Sequence, residues 1–118
     1  RKVQYLYQDG DFYHFMDLET YEQPVLNASM LQNTLPFLSE GLNLELVEYN
    51  GQPLEIEIPL IVDLKVIEVE AAVKGDTATG ATKNVITSTG LQIQGPLFLR
   101  VGDVIRVDTR TGAYLSRA

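Results

Sequence analysis

The sequence contains no cysteine, and its only histidine is His14. Without cysteine there is no disulfide framework and no thiolate metal site, and one histidine cannot complete a nitrogen-ligand site. No apolar run approaches the length of a membrane span, and no signal peptide opens the 118 residues. These absences predict a cytoplasmic protein with no cofactor and no membrane partner.

Catalytic side-chain arrangements are missing as well. His14 lies in a predicted strand, where a place on the strand face is favoured over a role as general base. Asp9 and Asp11 belong to a turn, while Glu55 and Glu57 alternate along a strand and so share one solvated face. No Ser–His–Asp set is present, and no glycine-rich phosphate motif precedes a helix. The sequence therefore predicts that the protein is not an enzyme.

The net charge of −7 comes from the first half of the chain. Residues 1–62 carry two basic and ten acidic side chains, a balance of −8, while residues 63–118 carry seven and six, a balance of +1. The second half can therefore approach RNA. The first half should avoid phosphate or face a basic protein partner.

Alternating apolar and polar residues predict five strands in the first half. These strands cover residues 3–7, 12–18, 21–25, 42–49 and 54–58. Between them, Asn27 can cap a short helix that runs through Leu31, and Pro36 suits the first turn of a second one over residues 36–40. Asn50 followed by Gly51 is the strongest hairpin signal in the chain. This content is the size of one small closed barrel.

The second half predicts another five or so strands, starting at residues 61–69 and ending at residues 113–115. Residues 97–99 are expected to be buried on both faces. Gly95 and Pro96 cannot lie in a central ladder, so they indicate a bulge or an edge strand. The sequence therefore predicts two antiparallel barrels in tandem, with domains at residues 1–62 and 63–118. The apolar join lacks a Gly/Ser tether, which predicts a nearly fixed mutual orientation.

A loop over residues 74–83 is the best site candidate in the sequence. It combines glycines and threonines with a lysine at each end and has no large apolar residue. Glycine amides can approach a sugar–phosphate backbone, Thr77 and Thr79 can donate hydroxyl hydrogen bonds, and Asp76 can accept from a base or a ribose. From composition alone, a mobile hairpin tip is the favoured interpretation of this loop.

Arginines near the turns of the second barrel are the other candidates. Arg106, Arg110 and Arg117 could contact RNA phosphates. A solvated strand face explains them equally well from the sequence.

A known signature runs through the second half in register. It consists of Lys83, Val85, Gly90, Ile93, Pro96, Phe98 and Gly102. Together with residues 102–118 and the opening residues 1–7, this pattern closely resembles bacterial translation elongation factor P over the whole chain. The departures are local: Asn84 stands where the family usually has proline, Gly95 where it usually has valine, Ala72 and Val73 where Pro–Gly commonly precedes the loop, and Ala113 where glutamate is usual.

The resemblance implies an all-β fold of two tandem five-stranded antiparallel barrels of the oligonucleotide-binding (OB) type, with one short helical segment in the first. It implies a monomer that binds the 70S ribosome between the peptidyl-tRNA and exit sites, contacting peptidyl-tRNA, messenger RNA and ribosomal proteins. It also implies a further N-terminal domain, absent from this sequence, that carries a modified basic residue. The RNA-contact candidates are then Gly75, Asp76, Thr77, Thr79, Lys83, Arg106, Arg110 and Arg117, of which the first three inherit the contact with messenger RNA in the exit site.

One alternative of a different class stays open. The chain can be a two-barrel protein-interaction module whose acidic first domain binds a basic partner. That hypothesis depends on the charge of residues 1–62, whereas the translation hypothesis depends on the second half.

Overall fold

The computed structural model describes residues 1–71 and 82–118. The predictions for Gly75, Asp76, Thr77 and Thr79 therefore lie outside the described residues. The described chain forms two compact units, Arg1–Pro59 and Leu60–Ala118. Each unit contains a five-stranded antiparallel sheet in which the strands follow the same spatial order, third, second, first, fourth and fifth.

The first unit carries the helical residues of the described chain. Its elements are β1 (Lys2–Asp9), β2 (Phe12–Asp17), β3 (Val25–Asn27), α1 (Ala28–Leu31), a 3₁₀ turn (Leu35–Phe37), β4 (Asn43–Tyr49) and β5 (Gln52–Glu57). Two predicted elements are wrong in their limits. Residues 21–24 lie outside β3, because Tyr21 has a φ of 62° and Pro24 has no N–H to donate to a ladder, although the Glu22 and Pro24 carbonyls accept hydrogen bonds from N–H groups of β2. The second helical piece ends at Phe37, since Leu38 is already extended.

The core of the first unit comes from the inward positions of its strands and from α1. Its buried members are Val3, Tyr5, Tyr13, Phe15, Leu26, Leu31, Leu38, Leu44 and Leu46. Asn27 caps α1 as predicted, because its Oδ1 accepts a hydrogen bond from the Met30 N–H at 3.3 Å. The predicted hairpin is also confirmed, with Asn50 at φ 52° and Gly51 at φ 75° between β4 and β5.

The second unit repeats the same strand order. Its strands are β6 (Ile61–Val69), β7 (Thr82–Thr87), β8 (Gln92–Pro96), β9 (Val104–Asp108) and β10 (Tyr114–Arg117). They run in the order β10-β9-β6-β7-β8, so β8 is an edge strand, as Gly95 and Pro96 require. The core side chains are Val62, Leu64, Val66, Val85, Ile93, Leu99, Ile105 and Val107. The all-β prediction of two five-stranded antiparallel OB-type units with a short helix in the first is thus confirmed over the described residues.

The prediction that residues 97–99 are buried on both faces is wrong. Phe98 is 55% exposed and Leu97 is 38% exposed, whereas Leu99 is 1% exposed. The chain turns after Pro96, where the Leu99 N–H donates to the Pro96 carbonyl at 3.3 Å, and this turn directs only Leu99 into the core. Gly95 makes room for it, since a Cβ there would lie 2.6 Å from the Leu99 Cδ1.

Candidate nucleic-acid interface

Arg106 lies on the outward face of β9, in the middle of a mixed-charge surface. Its cross-strand neighbour in β6 is Asp63, and the Nε of Arg106 lies 3.7 Å from the Asp63 Oδ1. Lys65 is exposed two residues further along β6, opposite Val104, so two cations flank one carboxylate. An exposed pair of this kind contributes about 0–1 kcal/mol, which leaves Arg106 able to exchange Asp63 for a phosphate. Lys65 was not singled out from the sequence, although strand alternation with Asp63 was a usable signal.

Arg110 lies in the turn that joins β9 to β10, and Asp108 shapes this turn. The backbone N–H of Arg110 donates to the Asp108 Oδ1 at 2.8 Å, and its guanidinium lies 3.4 Å from Oδ2. These contacts, the backbone hydrogen bond first, hold the pKa of the Asp108 carboxyl below its usual value. The Arg110 side chain is 70% exposed.

Arg117, in β10, lies over an aromatic ring. Its guanidinium carbon is 5.1 Å from the centre of the Phe98 ring, within cation–π range. In the ladder Arg117 pairs with Ile105, whereas its neighbour Ser116 pairs with Arg106. Successive residues of a strand face opposite sides, so Arg106 and Arg117 lie on opposite faces of the β9–β10 ribbon. The structure therefore does not join the predicted arginines into a single basic patch.

Lys83 faces inward. It shares a face of β7 with the buried residues Val85 and Thr87, lies opposite Gly95 in the ladder, and is 8% exposed. Its methylene stem therefore packs along the inner surface of the second unit, which leaves little of the side chain accessible. Contact between Lys83 and RNA stays a prediction.

A chain of hydrogen-bonding side chains, which the sequence did not single out, crosses β7 and β8 on their outward face and ends at the carboxylate of Glu70. The Thr82 hydroxyl donates to the Gln94 Oε1 at 2.7 Å. The Gln94 amide donates to the Asn84 Oδ1, and the Asn84 amide donates to the Glu70 carboxylate at 3.0 Å. The available signal was the alternation of residues 82–87 and 92–96, which places these amides on one face.

Two recesses border this outward face. One, of about 470 Å³, is lined by Thr82, residues 92–96 and residues 112–114. The other, of about 200 Å³, is lined by residues 68–70 together with Asn84, Ile86 and Gln92.

Within residues 1–71 and 82–118, no group of three or more His, Asp or Glu side chains could hold a metal ion. In that same part of the chain, no helix has the length and apolar character needed to cross a membrane.

The fold and this surface define a class: tandem OB-type β units, of which the second carries exposed arginines and an uncharged amide face. Comparison with known families narrows the class. The model described as the elongation factor P (EF-P) OB domain matches residues 1–56, and the model described as elongation factor P, C-terminal, matches residues 62–117.

Curated relatives align over nearly the whole chain. Elongation factor P of Moorella thermoacetica is 52% identical over 118 residues, which cover 100% of this chain and 64% of the relative. That of Caldicellulosiruptor saccharolyticus is 49% identical over 117 residues, covering 99% of this chain and 63% of the relative. That of Thermotoga maritima is 48% identical over 118 residues, covering 100% and 64%. The chain belongs to the elongation factor P family, and it spans somewhat less than two thirds of the length of these relatives.

Proposed function

We propose that this chain acts in translation elongation as part of a factor that binds the 70S ribosome between the peptidyl-tRNA and exit sites. In the full-length protein it would stimulate peptide-bond formation at stalled proline runs by positioning the peptidyl-tRNA. The observation that carries this proposal is the match of the two family models, one on each unit, which together span 1–56 and 62–117.

Positioning is the proposed mechanism because the barrier to a reaction between two held substrates contains a large orientational term. Holding reactants in the right geometry can supply about 7–11 kcal/mol without any proton transfer by the protein. The charge distribution supports a division of labour: the second half of the chain approaches RNA, and the acidic first half lies away from phosphate or against basic ribosomal proteins. The proposed factor is therefore not an enzyme in its own right.

The proposed RNA contacts of the second unit are the exposed guanidinium groups of Arg106, Arg110 and Arg117. The contact of Gly75, Asp76 and Thr77 with messenger RNA, outside the described residues, stays a prediction. Each arginine has an intramolecular partner that is a carboxylate on the surface or an aromatic ring, and both kinds of contact are compatible with a phosphate on the open side of the guanidinium.

The test is translation of a reporter that contains a run of prolines. The 118-residue chain should co-sediment with 70S ribosomes but leave the stall unrelieved, because the relatives extend beyond the matched region. Full-length elongation factor P from Moorella thermoacetica is the positive control, and excess chain should slow its action by competing for the same site. Relief of the stall by the chain alone, or failure to co-sediment, would contradict the proposal.

A second candidate function is favoured by the balance of −8 in residues 1–62. In this hypothesis the first unit binds a basic protein and the RNA contacts are unimportant. Binding of the basic protein would then survive substitution of Asp76 and Thr77. It would be lost when the exposed glutamates of β4 and β5 are changed to glutamine, namely Glu45, Glu55 and Glu57. Retained ribosome binding in the glutamine variants would exclude this candidate.

A further inference from the structure

The strand order of the second unit places β7 and β8 as the second and third strands of an OB-type sheet. In OB folds, oligonucleotides lie on the face of these two strands, beside the connections between strands one and two and between strands four and five. In this unit the connection between strands four and five is the turn after Asp108, which carries the exposed Arg110. The architecture alone would therefore locate a bound nucleotide on the face of β7 and β8.

The outward face of β7 and β8 is composed of uncharged groups. Its residues are Thr82, Asn84, Ile86, Gln92, Gln94 and Pro96. Along Thr82–Thr87 and Gln92–Pro96, the one ionisable side chain is Lys83, which faces inward. The corresponding outward positions on β2 and β3 of the first unit include the exposed Phe12 and Val25, so the amide face belongs to the second unit.

Amide side chains suit a nucleobase because each offers both a donor and an acceptor in one plane. Gln92 and Gln94 are both exposed, and both line the recess of about 470 Å³. This volume falls in the range of small-molecule sites, roughly 300–1,000 Å³. The opposite wall, residues 112–114, and the ring of Pro96 provide surface against which the flat face of a base can pack.

The present partners of the amides can be exchanged. Gln94 bonds Thr82 and Asn84, and both contacts lie on the exposed surface, so water or a ligand can replace them with little loss. Gln92 lies between the two recesses and lines both of them. Arg110 lies in the adjoining turn and can contact one phosphate, whereas Glu68 and Glu70, which line the smaller recess, disfavour a second one.

We propose that the outward face of β7 and β8 is a subsite for one unpaired nucleotide of single-stranded RNA, whose base is held by the side-chain amides of Gln92 and Gln94. The inference rests on the proposed RNA-binding function of the second unit, and it assigns a base contact to described residues of β8 in addition to the proposed contacts of the arginines.

Binding of oligoadenylate of about nine nucleotides, a length within the usual site size of an OB fold, tests this subsite. Its affinity for the 118-residue chain is measured by fluorescence anisotropy over a range of salt concentrations. Gln92→Met and Gln94→Met keep the side-chain length but remove the hydrogen bonds, and each should weaken binding about fivefold. The matched control is Gln52→Met, in the exposed part of β5, which should bind as the wild type does.

Salt dependence separates base contacts from phosphate contacts. The two methionine variants should keep the wild-type slope of log affinity against log salt, since the lost contacts are uncharged. Arg110→Gln should reduce that slope by about 0.7, the value for one phosphate contact on a single strand. In the wild type, the NMR signals of the Gln92 and Gln94 side-chain amides should move on addition of the RNA, and that of Gln52 should not.

Three results would overturn the subsite. The first is wild-type RNA affinity in both methionine variants. The second is a loss of RNA affinity in these variants that appears wholly as a change in the salt slope. The third is movement of the Gln92 and Gln94 amide signals with an extended nine-residue peptide but not with RNA. Ribosome co-sedimentation distinguishes this inference from the proposed function. If the chain co-sediments while the amides are indifferent to RNA, only the subsite fails. If the amides respond to RNA but the chain does not co-sediment, only the ribosomal function fails.

Discussion

Asp17 is a carboxylate that the backbone holds in its ionised form. Its Oδ1 accepts hydrogen bonds from the Glu19 N–H at 2.8 Å and the Thr20 N–H at 3.0 Å, and the Arg1 guanidinium lies 3.2 Å from its Oδ2. The backbone hydrogen bonds, that from Thr20 first, lower the pKa of Asp17, with Arg1 adding to the effect. This buried carboxyl therefore stabilises the end of β2 more strongly when it carries its charge than when it is protonated.

The stability of the first unit should depend on this ionisation. The folded-state pKa of Asp17 lies below the unfolded value of about 3.9. The contribution of the ionised carboxylate to the free energy of unfolding is therefore fully present above that pH, and it is lost as the pH falls through the folded pKa. Asp17→Asn should therefore lower the melting temperature at pH 7, and its difference from the wild type should shrink below pH of about 4. Thermal unfolding followed by circular dichroism at several pH values measures this.

Asp9→Asn is the matched control for Asp17, because Asp9 is exposed at the end of β1. It should reproduce the wild-type pH profile. A difference between Asp17→Asn and the wild type that stayed constant down to the most acid pH would contradict the role assigned to the charge.

At the scale of the element, the β4–β5 hairpin shows how turn chemistry sets strand pairing. Its two central residues, Asn50 and Gly51, both have positive φ, the conformation whose twist matches that of the flanking strands. The ladder then pairs Tyr49 with Gln52 and continues to Glu45 and Glu57 after a bulge. The sequence predicted this hairpin correctly because the signal lies within two adjacent residues.

Substituting Gly51 should weaken this hairpin. Gly51→Ala forces a Cβ into the left-handed region and should reduce the free energy of unfolding by about 1–2 kcal/mol. Asn50→Gly is the control, since glycine adopts positive φ freely, and it should change stability by no more than about 0.5 kcal/mol. Chemical denaturation gives both values. Equal destabilisation by the two changes would show that the turn conformation is not the cause.

At the scale of the whole molecule, charge is divided between two units of one topology. The first 62 residues have a balance of −8 and the remainder a balance of +1, while both sheets follow the same strand order. Similar backbones thus present very different electrostatic surfaces. Under the proposed function, long-range attraction to RNA comes from the second unit.

Ribosome binding should therefore depend on salt through the arginines of the second unit. Arg106→Gln should reduce the slope of log affinity against log salt by about 0.7–0.9, whereas Glu45→Gln should leave binding unchanged or slightly tighter. Co-sedimentation with 70S ribosomes at increasing salt measures both. A steeper loss on neutralising Glu45 than on neutralising Arg106 would instead support the basic-protein partner.

Much of the fold, and little of the candidate site, could be predicted from the sequence. The alternation of residues 42–46, the Asn50–Gly51 turn and the cap at Asn27 depend on neighbours in the chain, and all three are confirmed. The predicted limits of β3 were wrong because Tyr21 has a left-handed backbone conformation. The predicted burial of Phe98 was wrong because the turn after Pro96 leaves it exposed.

The sequence by itself determined the all-β class, the division of charge, the hairpin and the family, because periodicity, turn residues and motif spacing are local properties. Only the tertiary structure decided which side chains share a surface. A shift of one residue in strand pairing moves every side chain to the other face. The register irregularity between Tyr114 and Ser116 leaves Arg106 and Arg117 on opposite faces of the β9–β10 ribbon, and the pairing of β6 with β9 brings Asp63 against Arg106. Neither arrangement follows from the alternation along a single strand.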